Sequence, residues 1–594
     1  MNNYNNPLVD RLPRHLKQYI VPQHYEHYTA VDHAVWRYVM RQNYRYLKDV
    51  AYYPYIPGLK KAGLTIERIP DLQTMNDHLK TIGWGAVTVN GFIPSQAFME
   101  FQAYRVLIIA ADIRQIEHIE YTPAPDIIHE SAGHAPIIGE PEYAAYLQFT
   151  GEVGTKALLS KKDQELFEAI RQLAVLKELA GTPEKEIRKA EETLALIQQN
   201  MGDPSEMALL ARLHWWTVEY GLIGSLEDYK IYGAGLLSSI GESVTCMGPG
   251  VKKLPYTIDA VTYPYDITKP QPQLFVTPNF QNLVRVLNTF ADTLSYRRGG
   301  VYGLQKAIDS GLLCTVVYSS GLQASGIFIE TGMGEGTYIA TAGPTALALD
   351  DRQLAGHEKE LYPQGWGSPV GKLRDYDLPL EDFTLDDLKN AGIETGKAAA
   401  LLFRSGLQVH GRVEAVVIKN NKIILIRFSG CTVIDSVTAR QLFQPEWGIY
   451  DMAVGGEITS VYSGAADKAA YEQVTIVPRE MPRSEYSEAT SQLHGLYKQV
   501  RAIRENGTDT AALEKITGIL DAQYPDDWLC LLEILEVLKD RREAPGLQEH
   551  IMQRLARLQY RKPELKKLID DGLHTLAHIA ILPGAEGRMP AGSV

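Results

Sequence analysis

At 594 residues the chain is too long for one ordinary core, so two to four domains are expected. Its 45% hydrophobic and 22% charged residues fit a soluble globular protein, and a net charge of −13 excludes broad adhesion to nucleic acid or an anionic membrane, since both need a basic face. Cys246, Cys314, Cys431 and Cys530 form no C-x-x-C pair, which excludes a cysteine zinc site and a disulfide framework and fits a reducing compartment. The N-terminal MNNYNNPLVDRLPRHLKQ has no apolar core after its basic residues, and no run approaches the roughly 18 to 20 apolar residues of a membrane helix. The expectation is a cytoplasmic protein with neither membrane nor nucleic acid as a partner.

Residues 1 to about 150 read as mostly helical. Asp32–Leu47 places Val35, Tyr38, Val39 and Leu47 at helical spacing behind an acidic first turn. Trp84–Pro94 reads as a short strand ending in a loop at Asn90-Gly91. From about 156 to 200, Leu166, Ile170, Leu173 and Leu176, then Ile187, Leu194 and Ile197, mark two amphipathic helices. Gly181-Thr182-Pro183 stands between them, with Thr182 the expected N-cap and Pro183 the first helical residue. This helical hairpin reads as an insertion that packs or joins subunits, which makes a homo-oligomer through helical segments the expected assembly.

After Gly299, glycine-rich turns separate short β-rich runs. The clearest is Ala415–Phe428, with Asn420-Asn421 as a hairpin turn. A helical region follows from about Ser484 to Ile581, with heptad-like leucines in WLCLLEILEVLKDRR, and then a loose tail. The fold class is therefore multidomain α+β. Residues 1–300 form one unit carrying the hairpin, 301–483 a β-rich domain, 484–582 a helical region and 583–594 the tail.

The most informative window is Tyr121–Pro141, where His129-Glu130 is followed by His134. Five residues turn the second imidazole by roughly 140° from the first on an ideal helix. Both reach one metal only if the helix ends or distorts, for which Gly133 and Pro136 provide the means. Glu219 lies among Trp215, Trp216, Val218 and Tyr220, and a carboxylate in so apolar a helix must be paired, protonated or metal-bound. A structural salt bridge satisfies that requirement as well as a metal does. Two imidazoles and one carboxylate make a facial triad suited to Fe(II).

Three ordered motifs carry a specific resemblance: P-D-x-x-H-E-x-x-G-H-x-P at Pro125–Pro136, W-x-T-V-E-x-G-L at Trp215–Leu222 and Y-G-A-G-L-L-S-S-x-G-E at Tyr232–Glu242. Over roughly residues 30 to 300 the chain resembles the pterin-dependent aromatic amino acid hydroxylases. The resemblance implies a mostly α-helical catalytic domain, Fe(II), a tetrahydropterin (tetrahydrobiopterin or a relative) and O₂ as cosubstrate. It selects His129, His134 and Glu219 as iron ligands, a choice between Glu219 and Glu242 that spacing does not make.

The same resemblance puts Arg114 on the amino acid's carboxylate, Thr122, Gly235 and Ser238 on its polar groups, and Trp215 and Pro125 beside its ring. Gly91, Ile93, Ser95, Phe98 and Glu130 are implied for the pterin, and Asp126 for a hydrogen bond that orients His129. His214 and Ile108 depart from the animal enzymes, which have tyrosine and histidine there. Trp215 and an apolar Ile267 favour L-phenylalanine as substrate, although Asp266 is one position away. Tryptophan or tyrosine hydroxylation is the alternative within the class, and a zinc hydrolase or a non-catalytic binding protein outside it. Beyond residue 300 no motif carries chemistry; His410, Cys431 and Trp447 are scattered.

Overall fold

The computed structural model describes residues 4–91, 93–120, 125–178, 183–267, 269–331, 336–472, 486–507 and 509–577. Its first long helix, Ala30–Val50, starts two residues earlier than Asp32, because Thr29 and Asp32 cap each other's backbone N–H groups. Its buried face, including Trp36, Val39 and Leu47, crosses the core of the N-terminal half. Next comes a small βαβ unit. Gly85–Val89 and Val106–Ala110 pair in parallel, with every residue buried, and Ser95–Ala103 is the helix between them. Gly91, at φ +60°, turns the chain out of the first strand, a conformation that glycine adopts without strain.

The expected helical hairpin is present as Lys161–Glu178 and Glu184–Gln199. Pro183 is the N-cap and not the first helical residue, and Thr182 lies outside the described residues. The second helix buries no residue, and Leu196 is 62% exposed, so it adds nothing to the core of this chain.

Beyond the helix Gly300–Ser310 the chain is β-rich, as expected. One six-stranded sheet includes Leu313–Tyr318, Leu322–Ile329, Tyr338–Leu349 and the returning strand Ile458–Ser463. A five-stranded sheet is built on Leu407–Lys419 and Lys422–Asp435. Their turn is Asn420-Asn421, with φ +51° and +59° and Lys419 paired to Lys422, the left-handed geometry that matches strand twist in a two-residue hairpin.

Five helices end the described chain: Glu488–Asn506, Thr510–Gln523, Leu529–Arg541, Pro545–Arg561 and Lys566–Leu576. They do not enclose a core of their own. Their apolar side chains join those of residues 4–294 in one cluster, and every residue from Leu529 to Leu538 is buried. Burial on all sides explains why the leucine-rich segment is apolar around its circumference except at Glu533 and Glu536. The tail 583–594 lies outside the described residues. All four cysteines are buried and free.

Candidate metal centre and adjoining pocket

Both motif segments that carry the proposed ligands leave α-helical geometry. Ile128–His134 is a π-helix, and so is Trp215–Glu219. A π-turn closes its hydrogen bonds at i→i+5, so residues five apart return to the same side. The 140° problem of the sequence disappears for that reason. Gly133 has a different task from the expected one. A Cβ there would stand 2.7 Å from the Ala234 carbonyl oxygen, so glycine is what lets the helix Ala234–Ser238 lie against the π-turn.

The three side chains converge. His129 Nε2 lies 3.3 Å from one Glu219 oxygen and His134 Nε2 3.4 Å from the other, with the two rings nearly perpendicular at 89°. Burial alone would raise the Glu219 carboxyl, but the two imidazoles outweigh it and hold the group well below the usual carboxylate range. Two donors each about 2.1 Å from one ion and 90° apart are themselves about 3.0 Å apart, so these separations leave room for a metal at their meeting point. The N₂O donor set suits Fe(II) with open positions, and the residues fit the group. Glu130 is the second carboxylate within reach, 3.8 Å from His134 Nε2, and His129, Glu130 and His134 also satisfy the spacing of a metal cluster. Burial pushes the Glu130 carboxyl up to about 8, whereas the two imidazoles hold Glu219 low. Glu242 accepts a 2.7 Å hydrogen bond from the Tyr220 hydroxyl.

Ser238 and Asp126 take roles other than those expected. The Ser238 hydroxyl lies 2.9 Å from His129 Nδ1 and donates to the Ala234 carbonyl, so it orients the imidazole. Asp126 accepts from the His129 backbone N–H at 3.0 Å, not from the ring, because its two oxygens are committed to the Arg114 guanidinium at 2.8 and 2.9 Å. Burial would raise the Asp126 carboxyl, but the Arg114 charge lowers it overall. A planar guanidinium has five N–H donors, and this clamp uses two of them.

Trp215 is stacked between Tyr220 and Tyr265, with ring centroids 4.6 and 4.5 Å away. The two tyrosines escaped the sequence reading; the only signal was their nearness to Trp215 and to the Ile267 loop. Ile267 is 39% exposed and Asp266 pairs with Lys269 at 2.9 Å. Gly235 packs on the backbone of Glu219, where a Cβ would stand 3.0 Å from the carbonyl oxygen, so it shapes the site through the main chain. Pro125 is exposed, and Thr122 lies outside the described residues. On the other side, Phe98 meets His214 edge-to-face at 5.7 Å, and His214 precedes Trp215 in the helix that leads to Glu219. Burial pushes the His214 imidazole down to about 4, so it is neutral. Gly91 is exposed and Ile93 half-buried on the loop before the helix Ser95–Ala103, whose first residue, Ser95, is exposed. Ile108 is buried in the second strand of the βαβ unit.

Residues 18–176 and 189–302 match the family described as biopterin-dependent aromatic amino acid hydroxylase, and the interruption at 177–188 falls at the tip of the helical hairpin. A phenylalanine-4-hydroxylase of Pseudomonas aeruginosa is 29% identical over 262 residues, which cover 44% of this chain and 83% of that protein. One from Chromobacterium violaceum is 30% identical over 230 residues, covering 39% of this chain and 63% of the relative, and one from Rattus norvegicus is 30% identical over 273, covering 45% and 50%. A crystal structure of the Chromobacterium violaceum enzyme with bound iron(III) and 7,8-dihydrobiopterin is 26% identical, covering 47% of this chain and 88% of that one, at a TM-score of 0.36. The family match and the three ordered motifs thus coincide: residues 18–302 are similar to the biopterin-dependent aromatic amino acid hydroxylases.

Proposed function

We propose that residues 18–302 convert L-phenylalanine to L-tyrosine, with Fe(II) held by His129, His134 and Glu219 and a tetrahydropterin beside Gly91, Ile93, Ser95, Phe98 and Glu130. The observation that carries the reading is the convergence of both imidazole Nε2 atoms on the two oxygens of Glu219. Relatives named phenylalanine-4-hydroxylase in several bacteria and in mammals support the substrate. The bound iron and pterin supply the activation of O₂ for ring hydroxylation, which no side chain performs alone.

The protein's share is positioning and the exclusion of water. Arg114, held flat by Asp126 and with Nη1 also donating to the Ile119 carbonyl at 3.4 Å, offers the N–H groups left over to the amino acid's carboxylate. The Tyr220–Trp215–Tyr265 stack gives the substrate ring a rigid aromatic wall. Buried Glu130 supplies a carboxyl group to hydrogen-bond the pterin. Ser238 fixes the His129 ring so that Nε2 faces the metal position. Four buried thiols, none of them in a disulfide, fit work in a reducing cytoplasm. The outer helix Glu184–Gln199 is the surface available for self-association.

Loading the full chain with Fe(II) anaerobically, then adding phenylalanine, tetrahydropterin and O₂, should yield tyrosine by mass detection only when iron and pterin are both present. Product from tryptophan or tyrosine instead would overturn the substrate and keep the class. Two substitutions refine the roles. Ser238→Ala is expected to weaken Fe(II) binding about 10- to 100-fold, read by titration with a colorimetric chelator, because the imidazole loses its orienting partner. Arg114→Lys is expected to raise the KM for phenylalanine about ten-fold or more while iron stoichiometry stays at wild type, since an ammonium cannot hold Asp126 and a substrate carboxylate in one plane.

A further inference from the structure

The helix Ser95–Ala103, which carries Ser95 and Phe98, is held from outside the matched family region. Glu100 is 8% exposed, and its carboxylate is shared by two nitrogen-bearing side chains from distant parts of the chain. One oxygen lies 2.9 Å from His15 Nε2 and the other accepts from Lys468 Nζ at 2.8 Å. Burial would raise the Glu100 carboxyl, but His15 and Lys468 outweigh it and keep the group below its usual range, so it is a buried anion. Glu100 and Phe98 are two residues apart, about 200° around a helix, so the clamp grips the back of the element whose front faces His214.

The other end of the clamp is rigid. Lys468 follows the strand Ile458–Ser463, which pairs with Leu313–Tyr318 in the six-stranded sheet. The segment is tied down again where Asp467 accepts from the Gln353 and Ala470 backbone N–H groups and the Tyr471 hydroxyl donates to the Pro344 carbonyl at 2.7 Å. On the catalytic side there is little slack. A Cβ on Gly151 would stand 2.3 Å from the Ala103 backbone nitrogen, and one on Gly154 would stand 2.4 Å from Met99, so the helix Pro141–Lys156 lies flush on Ser95–Ala103. A second contact between sheet and catalytic helices, Lys156 Nζ over the Tyr462 ring at 3.7 Å, lies within range of the Glu100 charge but forms no ion pair with it.

We propose that the β-rich region sets the position of the pterin wall through Lys468 and Glu100, which act as positioning residues for pterin binding. This rests on the pterin assignment above. Without Lys468 the buried Glu100 carboxylate keeps only His15, and the helix that presents Ser95 and Phe98 shifts to hydrate it. The β-rich region thereby becomes part of the cofactor site.

The test uses the full chain and its Lys468→Met, Lys468→Arg and Lys156→Met variants. It measures the KM for tetrahydropterin and for phenylalanine, together with calorimetric binding of 7,8-dihydrobiopterin to iron-free protein. Lys468→Met should raise the pterin KM and the dihydrobiopterin Kd about five-fold or more, with the phenylalanine KM and iron content unchanged. Lys468→Arg should restore most of that affinity, and Lys156→Met should lower thermal stability without moving either pterin constant. A Lys468→Met protein that is merely less stable, with wild-type pterin KM and Kd, overturns the proposal, as does an equal loss in Lys156→Met. A wild-type chain that binds no pterin overturns the functional reading instead, so the two failures are distinct.

Discussion

Glu219→Ala is expected to bind no stoichiometric Fe(II) and to lose more than about a thousand-fold in turnover, well beyond the 10- to 100-fold cost of removing a residue that only supports a ligand. The reason is charge as much as geometry. Glu219 is the anion held below its usual range between the two imidazoles. The comparison variant is Glu242→Gln, which keeps an acceptor for the Tyr220 hydroxyl and should retain wild-type iron. Iron content by atomic absorption, with circular dichroism to confirm folding, decides the matter. Full iron and activity in Glu219→Ala would remove it from the metal site.

The second large effect is expected far from the iron. The first long helix is joined to the C-terminal helices by three arginines, Arg37, Arg41 and Arg504, and three glutamates, Glu67, Glu533 and Glu536. Glu536, 3% exposed, receives Arg37 at 2.7 Å and Arg504 at 3.0 Å, and pairs with Arg41 as well. Removing one partner of a buried ionic group leaves the others uncompensated, so Glu536→Ala should cost about 3–5 kcal/mol of stability. Denaturant unfolding monitored by circular dichroism checks the figure, and a loss below about 1 kcal/mol would mean that water already reaches the cluster.

The pH dependence has a defined sign. Burial would raise the Glu536 carboxyl, but Arg37, Arg504 and Arg41 outweigh it and hold the folded value far below the unfolded one. The unfolded chain takes up this proton first as pH falls. The contribution is therefore present above the ordinary carboxylate pKa and is lost on acidification towards the depressed folded value. Wild-type unfolding should lose stability below about pH 4.5 more steeply than Glu536→Ala does.

Local elements were legible where pattern and backbone agree. The helix from Asp32, the strand before Asn90-Gly91, the two-helix insertion and the Asn420-Asn421 hairpin all stand within a few residues of their expected places. Each is set by short-range physics: apolar period, caps and turn residues that tolerate positive φ. Pro183 shows the limit, displaced by one position because a helix boundary depends on which backbone N–H groups find partners, not on composition.

The candidate site was legible in its members and not in its wiring. The residues around the iron position follow from three motifs, but an ideal helix places His129 and His134 on different sides, and only the π-turn returns them to one. The partner of the His129 ring was equally hidden: it is Ser238, while Asp126 caps the His129 backbone N–H. Which acceptor meets which donor depends on how closely Ala234–Ser238 packs on Gly133, a distance between segments a hundred residues apart.

The sequence by itself determined the local elements, which depend on residue types at short spacing, and its ordered motifs pointed to the class of chemistry. Only the tertiary structure decided that the C-terminal helices complete the core of the catalytic half and that Lys468 reaches Glu100. Those contacts join residues several hundred positions apart. No periodicity records them, since a buried charge or an apolar face specifies that it needs a partner and not where along the chain that partner lies.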